Sequence, residues 1–292
     1  MSLRRSIPLL AAFLTLTALL LVAQSGGTYT QIDYPGAAST VATGINGVGD
    51  VVGYYSDASR ILHGFLLAAG AFTTIDVPGT NKTIAYGIND TGQIVGYSVL
   101  GGFIYDRNLQ TFTTFNVPGG LITTTGAAID NTGTIVGYAQ KFPEGNFVGF
   151  ELKDGVFTKI VIPDSNFFST QLTGMNNNGD VIAVGTLKSL DQTSFIYNTG
   201  VFQRISVPNA GGRAITWDIN DSNVLTGSVA STNDFTRGFA ANKARIGRLL
   251  FPGSVATIGY ALNNSRQVVG YFYDAQNAIH GFLWTPPSGS ER

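Results

Sequence analysis

The chain has 292 residues, 44% hydrophobic and 12% charged, with 37 glycines and a formal net charge of −1. Near-neutrality without a basic stripe excludes a nucleic-acid surface built on phosphate contacts. The lack of cysteine excludes disulfides, thiol nucleophiles, thiolate metal sites and a lipid-modified cysteine.

The first segment, residues 1–25, carries Arg4 and Arg5, an apolar run from Ile7 to Ala23 and small residues up to Ser25. This order is that of a cleaved secretory signal peptide, with Ala23 at the minus-three position. A retained membrane anchor is the alternative, because about 17 apolar residues stand at the short limit for spanning a bilayer. The expected location is therefore extracellular or periplasmic, with no membrane association after cleavage. The mature chain from Gly26 onward must draw its stability from its core alone.

Next comes an isolated strand at Tyr29 to Asp33, and then a unit that recurs six times. Its turn reads "ATGINGVGDVVGYY", "AYGINDTGQIVGYS", "GAAIDNTGTIVGYA", "LTGMNNNGDVIAVG", "TWDINDSNVLTGSV" and "GYALNNSRQVVGYF" along the chain. Each unit continues through an apolar stretch centred on Phe65, Phe103, Phe150, Phe195, Phe239 or Phe282. An F-x-x-I-x-V-P-G-like segment precedes every turn. The prolines Pro35, Pro78, Pro118, Pro163, Pro208 and Pro252 set steps of 43, 40, 45, 45 and 44 residues. Short strands broken by Gly, Pro and Asn at this period are the pattern of propeller blades. No helical rhythm follows the first segment.

Four strands fit in each unit: one before the turn, one after it, the Phe-centred stretch, and the F-x-x-I segment reached by a short hairpin. The chain starts on a fourth strand and ends on a third, His280 to Trp284, so six full sets require the N-terminal strand to complete the last blade. The expected fold is all-β, a six-bladed propeller over residues 26–285 with a flexible tail at 286–292, and closure is expected to leave no unpaired edge. The alternative is a solenoid with free ends. A monomer is expected.

The repetition gives the turn residues Asn46, Asn89, Asp130, Asn176, Asn220 and Asn263 a structural reading: a side-chain bond to the backbone two residues on, with a following Gly at positive φ. Gly53, Gly96, Gly137, Gly227 and Gly270 read as close-approach positions, with Ala183 in that place in the fourth unit.

The composite of G-I-N-x-x-G-x-V-V-G-Y, the His-Gly-Phe triplets at His63 to Phe65 and His280 to Phe282, and F-T-T-I-D-V-P-G resembles the HAF family of extracellular bacterial repeat proteins, from about Thr28 to Trp284. The resemblance implies secretion and a β-propeller-like repeat, and it carries no catalytic residue. Units five and six depart from the pattern, with Asn223 and Arg266 in place of the turn Gly.

Strand order puts the short turns on one face of the disc and the longer, uneven loops on the other. Irregular loops on a rigid scaffold are where binding residues collect, so the long-loop face is the expected binding surface. Its candidates are Asp57, Arg60, His63, Lys141, Glu144, Asp191, Arg213, Arg237, Tyr273, Asp274 and His280. Two histidines and no cysteine argue against a histidine-based zinc site.

One position breaks the pattern. First strands carry Gly44, Gly87, Ala128, Gly174 and Ala261 two residues before the turn residue, but the fifth carries Asp218, beside Trp217. A carboxylate there needs water, a cation or an Arg partner, and pairing with Arg213 is the expectation. The function expected from sequence is a non-catalytic module that binds an extracellular polysaccharide or protein and needs no cofactor. The alternatives are a carbohydrate-active hydrolase or lyase using channel carboxylates, and a structural protein of the cell envelope.

Overall fold

Runs of four to nine residues in which β-branched and aromatic side chains alternate with small or polar ones give twenty-four strands among the described residues. The computed structural model describes residues 26–288 apart from 120, 142, 208, 209, 211, 232–235, 243 and 244. The expected signal peptide, Pro208 and the last four residues of the expected tail lie outside the described residues. No helix occurs among the described residues.

Consecutive strands pair antiparallel into six four-stranded sheets, the blades of a six-bladed propeller. The inner strands of blades 1 to 6 are Ser39–Ile45, Thr83–Ile88, Leu121–Ile129, Phe167–Met175, Gly212–Ile219 and Ala256–Leu262. Blade 6 is completed from the other end of the chain. Its outer strand is Thr28–Ile32, which pairs with Ile279–Thr285 in a register that sets Thr28 opposite Thr285 and Ile32 opposite Gly281.

Closure does not abolish strand edges, contrary to expectation. Each blade still ends on an outer strand with no further strand partner among the described residues. These edges are managed by length and composition instead: they run four or five residues, as in "TFTTF", "VFTKI" and "VFQR", and show mostly exposed Thr, Lys, Gln and Arg.

The core lies between blades. Val52, Leu66 and Ile75 of blade 1 pack on Ala85, Ile94 and Phe103 of blade 2, and the other blade pairs follow suit. Inside five of the six blades a second-strand Gly stands opposite the third-strand Phe. A Cβ on Gly137 would collide with the Thr125 carbonyl oxygen and lie 2.9 Å from the Phe150 ring. Glycine is therefore what lets the ring seat, and Phe65, Phe103, Phe150, Phe239 and Phe282 are 0–1% exposed. In blade 4 the opposing residue is Ala183, and its Phe195 is left half-buried.

The links between blades repeat as well. A threonine six residues before the turn residue accepts a hydrogen bond from the backbone N–H that precedes each link proline or its equivalent. Tyr34 N–H donates to Thr40 Oγ1 (3.0 Å), Val77 to Thr83 (3.0 Å), Val117 to Thr124 (3.0 Å), Ile162 to Thr170 (3.1 Å) and Phe251 to Thr257 (2.9 Å). Blade 5 has Ala214 at this position.

Candidate functional site

Every inner strand slips register at the same place, between Ala42/Gly44, Ala85/Gly87, Gly126/Ala128, Leu172/Gly174, Thr216/Asp218 and Gly259/Ala261. A bulge re-aims the extra residue. Those residues are Thr43, Tyr86, Ala127, Thr173, Trp217 and Tyr260, and all six line a cavity of about 260 Å³ on the propeller axis. The cavity opens on the short-turn face, opposite to the face expected from loop length.

The turn residues form its rim in two circuits of hydrogen bonds. In the first, each Oδ1 accepts the amide four residues on: Asp50 at Asn46 (2.9 Å), Gln93 at Asn89 (2.9 Å), Thr134 at Asp130 (2.9 Å), Asp180 at Asn176 (2.9 Å), Val224 at Asn220 (2.9 Å) and Gln267 at Asn263 (3.0 Å). The expected bond two residues on accompanies it at Asp130, Asn176 and Asn220. The Nδ2 then reaches the next blade. Asn46 donates to the Asn89 carbonyl, Asn89 to Asp130, Asn176 to Asn220, Asn220 to Asn263, and Asn263 back to Asn46. Asp130 has no amide to donate, so this circuit is open between blades 3 and 4.

In the second circuit, the backbone N–H of the next residue donates to the side chain of its counterpart one blade on. Gly47 bonds Asp90, Asp90 bonds Asn131, Asn131 bonds Asn177, Asn177 bonds Asp221, and Asp221 bonds Asn264. Gly47 offers no acceptor, so this circuit is open between blades 6 and 1. Burial works to raise the Asp221 carboxyl, but bonds from Asn177 and Asn264 outweigh it and hold the group below the usual range.

The cavity walls are aromatic. Trp217 and Tyr260, from adjacent blades, lie parallel with 7° between planes and 6.0 Å between centroids, while Tyr86 and Tyr138 add two phenols and Gln171 and Thr173 add polar groups. Burial raises the Tyr86, Tyr138 and Tyr260 hydroxyls above their ordinary value, so all three remain donors. The Trp217 Nε1 is buried without a hydrogen-bond partner among the described residues.

Asp218 joins this wall, and the expected pair with Arg213 does not form. Arg213 makes an ion pair with Asp191 on the long-loop face, five strand residues or roughly 16 Å away. The bulge turns the Asp218 carboxylate sideways instead. It accepts the Leu262 N–H of blade 6 at 3.0 Å and backbone bonds from Ile219 and from Met175 of blade 4, where Gly174 leaves space for it. Burial nonetheless pushes this carboxyl up to about 7.

The other sequence candidates stay on the long-loop face and close loops or tie strands. His63 bridges Asp76 (2.7 Å) and Asp57 (3.7 Å) and stacks on Tyr55, while Asp57 also accepts the Ile61 N–H within its own loop, where Arg60 takes a φ of 65°. His280 repeats the arrangement with Asp33 (2.9 Å), Asp274 (3.5 Å) and Phe272. Lys141 pairs with Glu144 at 3.2 Å, Arg237 stands opposite Val229 in blade 5, and Tyr273 meets Tyr271 edge-on. No group of three His, Cys, Asp or Glu able to hold a metal occurs among the described residues.

The sequence reading missed Tyr86, Tyr138, Gln171, Thr173 and Tyr260. One signal was present: the bulge position reads Thr, Tyr, Ala, Thr, Trp, Tyr in an otherwise regular motif.

No known family matches the sequence, and no curated protein matches it. Solved structures share the fold. AofleA from Arthrobotrys oligospora is 10% identical, with 89% of each chain covered and a TM-score of 0.55. A gluconolactonase from Xanthomonas campestris is 14% identical, with 85% of this chain and 87% of that chain covered at 0.52. A lectin from Aleuria aurantia, in complex with Fucα1-6GlcNAc, is 12% identical, with 87% and 93% covered at 0.51. At these identities the likeness is one of fold.

Proposed function

We propose that the mature chain acts outside the cytoplasm as a non-catalytic glycan-binding module, with the sugar held in the axial cavity. The observation that carries this reading is the parallel Trp217–Tyr260 wall beside Asp218, Gln171 and Thr173 in about 260 Å³. A pyranose has an apolar C–H face for an aromatic ring and a rim of hydroxyls for a few polar groups. The volume falls just below the roughly 300–1,000 Å³ of drug-sized sites, which suits a sugar residue. Propeller neighbours named as a lectin and a gluconolactonase are in keeping with it. Two-acid hydrolysis is less well served, because it needs two carboxyls at a set separation, and Asp90, Asp130 and Asp221 are engaged in the rim.

The test is a glycan-array screen of residues 26–292, followed by calorimetry on a hit. Trp217→Ala is expected to weaken binding about tenfold, the ~1.4 kcal/mol scale of one lost aromatic contact, with the β-type circular dichroism retained. Lys141→Ala, on the far face, is expected to leave it unchanged. Wild-type affinity in Trp217→Ala would move the site elsewhere, and an array without hits would remove the glycan reading.

A further inference from the structure

The charges that line the axial cavity are all of one sign. Asp90, Asp130, Asp218 and Asp221 border it, and no Lys, Arg or His does among the described residues. Each of these carboxylates is held by neutral donors: Asp90 by Gly47 N–H and Asn131, Asp130 by Thr132 and Thr134, Asp221 by Asn177 and Asn264, and Asp218 by backbone amides. None forms an ion pair among the described residues, although elsewhere Asp50, Asp191 and Glu144 have Arg or Lys partners. A one-signed, concave site with low-dielectric walls focuses its field on whatever enters.

We infer that the cavity selects a sugar carrying a free, positively charged amine, with the sugar ring on the Trp217–Tyr260 wall and the ammonium facing the Asp218 carboxylate. The inference rests on the glycan reading above and narrows it. Aromatic faces contribute in the same direction, since the ring quadrupole attracts a cation lying over it. A metal ion fits less well: the carboxylates come from blades 2, 3 and 5 and do not gather into a cage. An acidic sugar would meet four carboxylates without a base. An ammonium would also supply the counter-charge that the buried Asp218 lacks, holding it ionised against burial.

The experiment compares a glucosamine tetramer with its fully N-acetylated counterpart by calorimetry on residues 26–292 at about pH 7, where the Asp218 carboxyl is about half ionised in the free protein and an aliphatic amine is still mostly protonated. The amine form is expected to bind at least about tenfold tighter, and the preference is expected to fall severalfold in high salt. Asp218→Asn is expected to erase most of the preference. Asp154→Asn, the same side-chain change on an exposed outer hairpin, is expected to retain it. Should Asp218→Asn fail to fold, the rim double variant Asp90→Asn with Asp221→Asn is expected to lower the preference severalfold. Equal or tighter binding of the acetylated tetramer, still lost in Trp217→Ala, would overturn the amine and leave the glycan site standing. So would binding of neither tetramer while another glycan binds in a Trp217-dependent way. No Trp217-dependent glycan at all would remove both.

Discussion

Asp218 occupies a place that five other units fill with Gly or Ala, and its chemistry follows from its neighbours. Folding raises its pKa from an ordinary value near 3.8 to about 7, so between those values the folded chain binds the proton that the unfolded chain has released. Its contribution to stability is then fully present below about pH 4 and is lost as pH rises through about 7, by at most about 4 kcal/mol. Melting temperature against pH, in wild type and in Asp218→Asn, isolates this group. The wild-type curve is expected to fall more steeply between pH 4 and 7, and parallel curves would count against a raised carboxyl. Asp130 supplies a second test at the same scale. Asp130→Asn keeps the Thr134 N–H bond and adds the missing donor toward the Asn176 carbonyl, for about 1 kcal/mol or 2–4 °C of added melting temperature. A lower melting temperature would mean that the asparagines do not serve the inter-blade circuit. The sequence marked Asp218 as a departure, with Trp217 beside it, since repeats display their exceptions. It misassigned the Asp218 partner because nothing in a period-two pattern announces a bulge, and the bulge decides where the side chain points.

At the scale of elements, strands, hairpins and their order were legible because Gly, Asn and Pro punctuate the chain at fixed offsets. What could not be read were the bonds that cross between blades, as neither partner shows its role in isolation. The threonines of the blade links illustrate this. Thr40, Thr83, Thr124, Thr170 and Thr257 are 0–3% exposed, a burial that a hydroxyl tolerates when it is hydrogen-bonded, as the link amide provides. Ala214 is the exception, half-buried at the junction from blade 4 to blade 5. Ala214→Thr is expected to supply the bond to the Val207 N–H and raise stability by about 1 kcal/mol, whereas Thr83→Ala should lower it by about 1–2 kcal/mol through a stranded amide. Denaturant unfolding of the two variants checks both signs, and a destabilised Ala214→Thr would mean that this junction is built differently. The cavity was displaced from its expected face for a related reason: long loops attract attention, yet here they spend their polar groups on their own closure, as Asp57 and Asp274 do.

For the whole molecule, the strand census was enough to foretell six blades and an N-terminal strand completing the last of them. Removing residues 26–34 takes away Ile32 from the core, Tyr29 from the Phe251 and Phe282 rings, and Tyr34 from its stack on Tyr55. At roughly 1.5–3 kcal/mol for each buried side chain, the loss amounts to several kcal/mol, a large share of the stability of an ordinary domain. The truncated chain is expected to aggregate or to melt at least about 10 °C lower. A soluble truncation with the wild-type melting temperature would rule out the closure. The same seam gives folding an order in time. Blades 1 to 5 are built from neighbouring hairpins and can form as soon as their own stretch of chain exists, whereas Thr28 meets Thr285 only after the intervening residues have wound once around the axis. Contacts of such sequence separation form slowly. The ring therefore has a last step, and unfolding run in reverse has a first one, at which residues 28–32 peel from residues 279–285 while the other five blades are still intact.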